Sequence, residues 1–122
     1  MPFTHPPLAL QDIGAIEPYG LMADAHVIPT SHGYISPAVF DSPPDAYPVY
    51  AIADGTIVFV AHRGESVGDT PQKQKPNDYQ LYIEYSCTFY SYYDLLTSLA
   101  PNLASRVGPL PGFARRLVRI PV

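Results

Sequence analysis

Two of the four histidines are close enough in sequence to suggest a metal site. His26 and His32 lie six residues apart within Ala25–Pro37, which reads AHVIPTSHGYISP. Imidazole nitrogens are ligands for zinc, copper and nickel. On a fully extended strand the two rings would lie on the same side but about 20 Å apart. A turn over Pro29–Ser31 would bring them together, so we treat both histidines as candidate metal ligands.

Two histidines do not complete a zinc site, because a catalytic zinc normally has three protein ligands and an open position for water. The carboxylates that could supply a further ligand are Asp24, Asp41 and Asp94. Asp94 is expected at the end of a neighbouring strand and is the candidate we carry forward. The opposing interpretation is that the histidines are polar strand residues that bind no metal.

The chain is rich in tyrosine, with 10 tyrosines and no tryptophan. A tyrosine combines apolar contact area with a hydroxyl that can hydrogen-bond, so a tyrosine cluster could line a groove for a peptide or a glycan. The candidate binding residues are Tyr34, Tyr92 and Tyr93. The rings could instead pack against one another across neighbouring strands. Both interpretations stay open from the sequence alone.

Composition and charge exclude several classes of protein. The net charge is −4 and the only basic run is Ala114–Arg119, whereas nucleic-acid binding normally needs a cationic surface. That run could meet an anionic partner or form a solvated strand edge. No apolar run reaches the roughly 18 residues that span a bilayer, and the first residues lack the features of a signal peptide. The single cysteine, Cys87, has no partner for an internal disulfide, so the compartment is not indicated.

The pattern predicts an all-β fold with one short helix. The 15 prolines leave little room for long helices, since each removes a backbone donor and clashes with the preceding turn. Residues 1–24 are predicted to form an irregular N-terminal arm, and residues 25–122 a β domain. Asp54-Gly55 predicts a hairpin that joins a strand over Pro48–Ala53 to a strand over Thr56–His62.

Two further elements are predicted after that hairpin. The alternating run Tyr79–Tyr93 is too long for one strand and is expected to turn near Ser86-Cys87. Leucines at helical spacing between Leu95 and Leu103 predict a helix of one or two turns, which Pro101 should break.

Alternation along Thr56–His62 predicts which side chains share a face of that strand. Successive side chains of a regular strand point to opposite faces. The expected sets are Ile57, Phe59 and Ala61 on one face and Thr56, Val58, Val60 and His62 on the other.

The stretch Pro48–Val60, PVYAIADGTIVFV, is the most distinctive part of the chain. It follows a histidine-bearing segment and precedes a polar loop, a tyrosine-rich strand and the final RIPV. This order resembles the lysostaphin-like M23 metallopeptidase domain, a β-sheet fold also described as a duplicated hybrid motif, in which the stretch commonly reads GTPVYAAADGVV. The resemblance covers roughly residues 26–122. It implies a zinc ion held by a histidine, an aspartate four residues later and a histidine from a distant HxH.

The resemblance places the first zinc ligand on His32, but the other functional positions of the family differ. Four residues after His32 the chain has Ser36 rather than aspartate. The family's YAHL segment falls on Tyr92–Leu95, so that Asp94 stands where an assisting histidine is expected. No histidine follows His62. The distal HxH is therefore not found, and we expect the domain to be incomplete at its C-terminus.

The sequence thus predicts a degenerate lysostaphin-like domain that serves as a non-catalytic binding or structural module. The alternative is a zinc-dependent hydrolase of the peptidase type, acting on the peptide part of peptidoglycan, with His26, His32 and Asp94 as rearranged ligands. Zn²⁺ is the cofactor that the resemblance implies. An incomplete sheet would leave open edges that invite pairing with another chain, so a homo-oligomer is also expected.

Overall fold

A computed structural model describes residues 3–20, 32–39, 42–65 and 77–122. Residue contacts divide the chain into two compact units, of which one comprises Met1–His5 with Ala51–Val122 and the other Pro6–Tyr50. Each unit contains an antiparallel sheet, and the described residues contain a single α-helix. The predicted all-β class with one short helix is therefore confirmed.

The smaller unit is built on a two-stranded antiparallel sheet. A 3-10 turn at Leu10–Asp12 leads into β1, Ile13–Glu17, which pairs with β2, Tyr34–Pro37. Residues 1–24 were predicted to be irregular, and β1 corrects this over its length, because backbone pairing with β2 orders it. The predicted boundary between residues 24 and 25 lies outside the described residues and stays a prediction.

The larger unit contains a four-stranded antiparallel sheet with the strand order β5-β4-β3-β6. Its strands are β3 (Thr56–Glu65), β4 (Asn77–Ser86), β5 (Phe89–Leu96) and β6 (Arg115–Pro121). Helix α1, Pro101–Val107, lies between β5 and β6 in the chain. A turn at Cys87 and Thr88 joins β4 to β5, which confirms the hairpin predicted near Ser86-Cys87.

One face of the four-stranded sheet carries the hydrophobic core. The buried cluster joins side chains of β3, β4 and β6 to α1, and its members are Ile57, Val60, Leu81, Ile83, Val107 and Ile120. Partly buried leucines of α1 and its flanks pack against this cluster, among them Leu99 and Leu103. Burying one such side chain contributes roughly 1.5–3 kcal/mol. We call the side of the sheet that faces α1 the inner face and the opposite side the outer face.

A β-bulge at Val58 changes which side chains of β3 share a face. Between Ile57 and Phe59 the pairing advances two residues on β3 for one residue on β4. An extra residue reverses the alternation of the residues that follow it. Ile57 and Val60 therefore both lie in the core cluster. This corrects the predicted grouping of Ile57 with Phe59 and of Val60 with Thr56.

The hairpin predicted at Asp54-Gly55 is wrong. Residues 48–55 form no strand, and β3 pairs with β4 and β6 instead. Gly55 exchanges two backbone hydrogen bonds with Val122, at 3.2 and 2.9 Å. A Cβ atom on Gly55 would lie 2.7 Å from the carbonyl oxygen of Glu84. The glycine is therefore needed for close approach of β4, and the C-terminal strand occupies the position expected for Pro48–Ala53.

Pro101 begins the helix rather than breaking it. It occupies the first turn, where its missing N–H would have no intrahelical partner. Leu95 and Leu96 were predicted to be helical by their spacing, but they end β5, because cross-strand pairing with β4 continues through Leu96. Among the described residues, no helix is long and apolar enough to cross a membrane.

Candidate functional site

His32 lies in the smaller unit, just before β2. Its Nε2 atom is 2.9 Å from the hydroxyl of Tyr34, and the two rings meet edge to face with their centroids 5.1 Å apart. The structure thus brings together a predicted metal ligand and a predicted binding residue. The other candidates from this half of the chain, His26, Asp24 and Asp41, lie outside the described residues.

Asp94 lies near the end of β5 in a polar cluster of the larger unit. The Gln80 side-chain amide donates to its Oδ1 at 2.5 Å, and Nη1 of Arg63 is 3.7 Å from its Oδ2. Arg63 also donates to the buried carboxylate of Asp78 at 2.9 Å. The second oxygen of Asp78 accepts the backbone N–H of Leu95 at 3.2 Å. Both carboxylates therefore belong to an ion-pair network at this end of the sheet.

No metal site is assembled within the described ranges, since no group of three or more His, Cys, Asp or Glu side chains there could hold an ion. His32 and Asp94 belong to different units, and His26 is outside the described part of the chain. The zinc site predicted from these three residues therefore stays a prediction.

Tyr92 and Tyr93 are neighbours on β5 and lie on opposite faces of the sheet, as alternation requires. Tyr93 packs against the core cluster, and its hydroxyl accepts the backbone N–H of Ile52 at 3.1 Å. Burial raises the pKa of Tyr93 well above its usual value. Tyr92 lies on the outer face, where its side chain is 40% exposed. Of the two, Tyr92 is the one placed to contact another molecule.

A row of apolar side chains crosses all four strands on the outer face. The strand register places Leu117 beside Phe59, Phe59 beside Tyr82, and Tyr82 beside Tyr92. The Phe59 and Tyr82 rings are 5.3 Å apart at an angle of 73°, and the Tyr82 and Tyr92 rings are 5.6 Å apart at 29°. Leu117 is 83% exposed and Tyr82 is 37% exposed. We call these four residues the outer row.

Polar side chains border the outer row on both sides. On one side the Tyr90 hydroxyl donates to the Glu84 carboxylate at 3.0 Å, which raises the pKa of Tyr90, and Arg119 is 3.8 Å from the same carboxylate. On the other side lie Gln80 and Asp94 with the hydrogen bond described above. Protein-binding surfaces typically combine an aromatic and apolar centre with a polar rim. The outer face has this composition.

Sequence reasoning identified Tyr92 but missed Phe59 and Leu117. Phe59 was grouped with Ile57 on one face of the strand, because the bulge at Val58 leaves no clear mark in the sequence. Leu117 was treated only as part of a basic run. The pattern around it, with Arg115 and Arg119 two residues away on either side, was the signal that could have placed all three on one face of a strand.

Two other side chains, a histidine and a cysteine, are of types that can take part in catalysis or metal binding, and they are not part of the outer row. His62 is held in the second half of β3, because its Nδ1 atom is 2.8 Å from the Leu110 carbonyl oxygen and its ring stacks on Tyr79 with the centroids 4.4 Å apart. Cys87 is exposed in the turn between β4 and β5. The contacts of His62 are those of a structural histidine that fixes the loop before β6.

Comparisons with known proteins assign no relative, since no protein-family model, curated protein or solved structure matches the chain. The geometry of the outer face is therefore the feature from which a function can be proposed.

Proposed function

We propose that this protein is a non-catalytic binding module, a degenerate relative of the lysostaphin-like domain, and that it contacts its ligand with the outer row. The observation that carries the proposal is the exposure of this row. Leu117 is 83% exposed and Tyr82 and Tyr92 are 37% and 40% exposed, and the partly buried Phe59 connects them into one row across the sheet. Contiguous exposed apolar surface with a polar border is characteristic of contact sites.

The ring geometry favours a peptide over a glycan as the ligand. A sugar binds best to an aromatic ring that presents its flat face to the solvent. In the outer row the rings lean on one another, at 73° between Phe59 and Tyr82 and at 29° between Tyr82 and Tyr92. In each pair a neighbouring ring already covers a ring face on which a sugar could stack, so we favour the side chains of a peptide as the ligand.

The surroundings of Asp94 also support a binding role over hydrolysis. In the resemblance this residue takes the place of a histidine that would assist a hydrolytic water. Its carboxylate is engaged by the Gln80 amide and lies 3.7 Å from the Arg63 guanidinium. A carboxylate held by a cation and a hydrogen-bond donor is poorly disposed to give up these partners for a metal or a water.

The binding role is tested by selecting ligands for the purified protein from a random peptide library and from a glycan array. Ligands should bind wild type and lose about tenfold or more in affinity with the double variant Tyr82→Ser/Tyr92→Ser, because buried aromatic anchors dominate binding energy. Phe113→Ser is the matched control, since Phe113 is an exposed aromatic residue outside the outer row. Ligands that are indifferent to the double variant, or no ligands from either source, would count against the proposal.

The hydrolase alternative is tested by metal analysis of the protein purified with added zinc. The binding-module proposal expects no stoichiometric zinc in wild type. Stoichiometric zinc that is lost in His32→Ala would instead indicate a metal centre and would contradict the non-catalytic interpretation. Circular dichroism of the variant shows whether any loss of metal reflects loss of the fold.

A further inference from the structure

Strand β6 forms one edge of the four-stranded sheet. It pairs with β3 on one side, and within the described ranges no strand pairs with its other side. A strand at a sheet edge presents backbone N–H and C=O groups that can pair with an added strand. Leu117, at the end of the outer row, lies on this edge strand. A strand added to β6 would therefore extend the outer row by one position.

The edge strand is the most basic part of an acidic protein. Three of the 7 lysine and arginine residues lie in β6, whereas the chain has a net charge of −4. Arg116 faces inward and donates to the carbonyl oxygen of Val107. Arg115 and Arg119 alternate with Leu117 and flank it along the strand. In the described part of the chain Arg115 forms no ion pair, and Arg119 has only the 3.8 Å contact with Glu84.

These charges select against self-pairing of the edge. Two β6 strands that pair antiparallel about Leu117 would place Arg115 of one chain opposite Arg119 of the other. Like charges directly opposite one another on a sheet are destabilising. The β5 edge of a second copy offers one carboxylate on its outer face, Asp94, and Gln80 and Arg63 already engage it. The occupant that best complements β6 is therefore an acidic strand from a different protein.

We infer that β6 binds an extended acidic peptide segment of a partner protein by strand addition, and that the segment carries an apolar residue between two acidic ones. This rests on the proposed binding function and names its ligand. Peptide strands that add to a sheet edge gain affinity from main-chain hydrogen bonds and specificity from alternate side chains.

The register of β6 dictates the sequence pattern of the peptide. The residue opposite Leu117 should be apolar, because it would lie against Leu117 and continue the outer row. The residues two positions to either side would face Arg115 and Arg119, so both should be aspartate or glutamate. Opposite charges at cross-strand positions are favourable, and this holds for either direction of the peptide. The expected pattern is acidic-x-apolar-x-acidic.

The probe is the blocked synthetic peptide Thr-Glu-Thr-Phe-Thr-Glu-Thr, titrated into the full chain and followed by amide chemical shifts. We expect saturating shifts in β6 at or below about 1 mM peptide, and weaker binding as salt is raised, because the ion pairs are screened. Two matched peptides replace both glutamates by lysine or the phenylalanine by serine, and neither should bind. Shifts equal for all three peptides, or no shifts, would overturn the inference.

Main-chain pairing is tested with two N-methylated forms of the peptide. Methylation of alternate amides on one edge of the peptide should abolish binding, whereas methylation on the other edge should leave it intact, because only one edge faces β6. Equal affinity of the two forms would show that the peptide does not add as a strand.

Charge reversal on β6 supplies the residue-level test. Arg115→Glu and Arg119→Glu should each weaken binding about five- to tenfold, and the double variant Arg115→Glu/Arg119→Glu should bind the lysine peptide instead of the acidic one. Arg106→Glu in α1 makes the same change of charge outside the edge strand and should alter affinity less than about twofold. If ligand affinity depends on Tyr82 and Tyr92 but not on these arginines, strand addition is wrong, whereas the proposed binding function of the outer row is supported. Binding to phosphatidylserine vesicles without peptide binding, or a dimer in light scattering that blocks the peptide, would also overturn strand addition.

Discussion

The two faces of the four-stranded sheet use the same strands for different purposes. On β6, Ile120 points inward and is 6% exposed, whereas Leu117 points outward and is 83% exposed. On β4, Ile83 lies in the core and Tyr82 lies in the outer row. Both faces carry large apolar side chains, so the presence of such residues alone does not distinguish them. The difference is that α1 packs on the inner face, whereas Leu117, Tyr82 and Tyr92 of the outer row are exposed.

The outer row is therefore not a continuation of the core. A core residue contributes through close contact on all sides, and its loss leaves a cavity. A residue of the outer row contacts mainly its cross-strand neighbours, such as Tyr92 against Tyr82. The contrast therefore predicts that substitutions on the inner face reduce stability and that substitutions on the outer face reduce binding.

The largest expected effect comes from a matched pair on β6. Ile120→Ala should lower the free energy of unfolding by about 2–4 kcal/mol, because it removes buried methyl groups and leaves a cavity. Leu117→Ala should lower it by less than about 0.5 kcal/mol, because the side chain is exposed. Urea denaturation of both variants checks the pair. Equal losses of stability in the two variants would show that Leu117 is buried and would contradict the difference between the two faces.

Gly55→Ala tests the close approach of β4 to the residue that precedes β3. A Cβ atom would lie 2.7 Å from the carbonyl oxygen of Glu84, so the strands must separate, at a cost of about 1–3 kcal/mol. Gly112→Ala is the control, since its Cβ atom would meet its nearest neighbour at an ordinary 3.8 Å. Thermal denaturation should show a lower melting temperature for Gly55→Ala only. A stable Gly55→Ala protein would contradict the close approach of β4.

Tyr93→Phe tests the polar contact on the inner face. Loss of the hydroxyl leaves the Ile52 N–H without this acceptor and should cost about 1 kcal/mol near neutral pH. Because the pKa of Tyr93 is raised in the folded protein, its contribution is fully present below about pH 10, the value of an unfolded tyrosine, and is lost as pH rises toward the folded pKa. The difference in unfolding free energy between wild type and variant should therefore shrink above about pH 10. A difference that stays constant across this range would contradict the burial of the hydroxyl.

The smallest expected effect is at the border of the outer row. Arg119→Ala removes a 3.8 Å ion pair in which the arginine side chain is 71% exposed, and it should change stability by less than about 0.5 kcal/mol. The same variant should weaken binding of the acidic peptide, so we expect the peptide affinity to fall while the free energy of unfolding stays nearly unchanged. A large loss of stability would assign Arg119 to the fold and remove it from the binding surface.

Much of the fold could be predicted from local patterns. The hairpin between β4 and β5 and the strand at Thr56–His62 follow from alternation and turn residues within a few positions, whereas the helix was expected to break at Pro101 and instead begins there. The hairpin at Asp54-Gly55 could not be judged in this way. The same dipeptide serves a tight turn or a close approach, and only the pairing of Gly55 with Val122 distinguishes them.

The candidate site could be predicted only in part. Tyr92 was found from its residue type and its place in a tyrosine-rich strand. Phe59 and Leu117 were missed, because the face on which Phe59 lies depends on a bulge and the exposure of Leu117 depends on the position of β6 at the sheet edge. The histidines were predicted to be metal ligands because of their residue type, but the described contacts of His32 are with Tyr34.

The sequence by itself determined the all-β class, the presence of one short helix and the hairpin between β4 and β5, because proline content, alternation and turn chemistry act over a few neighbouring residues. Only the tertiary structure decided which strand lies beside β3 and which apolar side chains stay exposed. The physical reason is that these outcomes depend on the bulge at Val58 and on backbone pairing between Gly55 and Val122, which are far apart in the chain. Register, rather than hydrophobicity, placed Ile120 in the core and Leu117 on the surface.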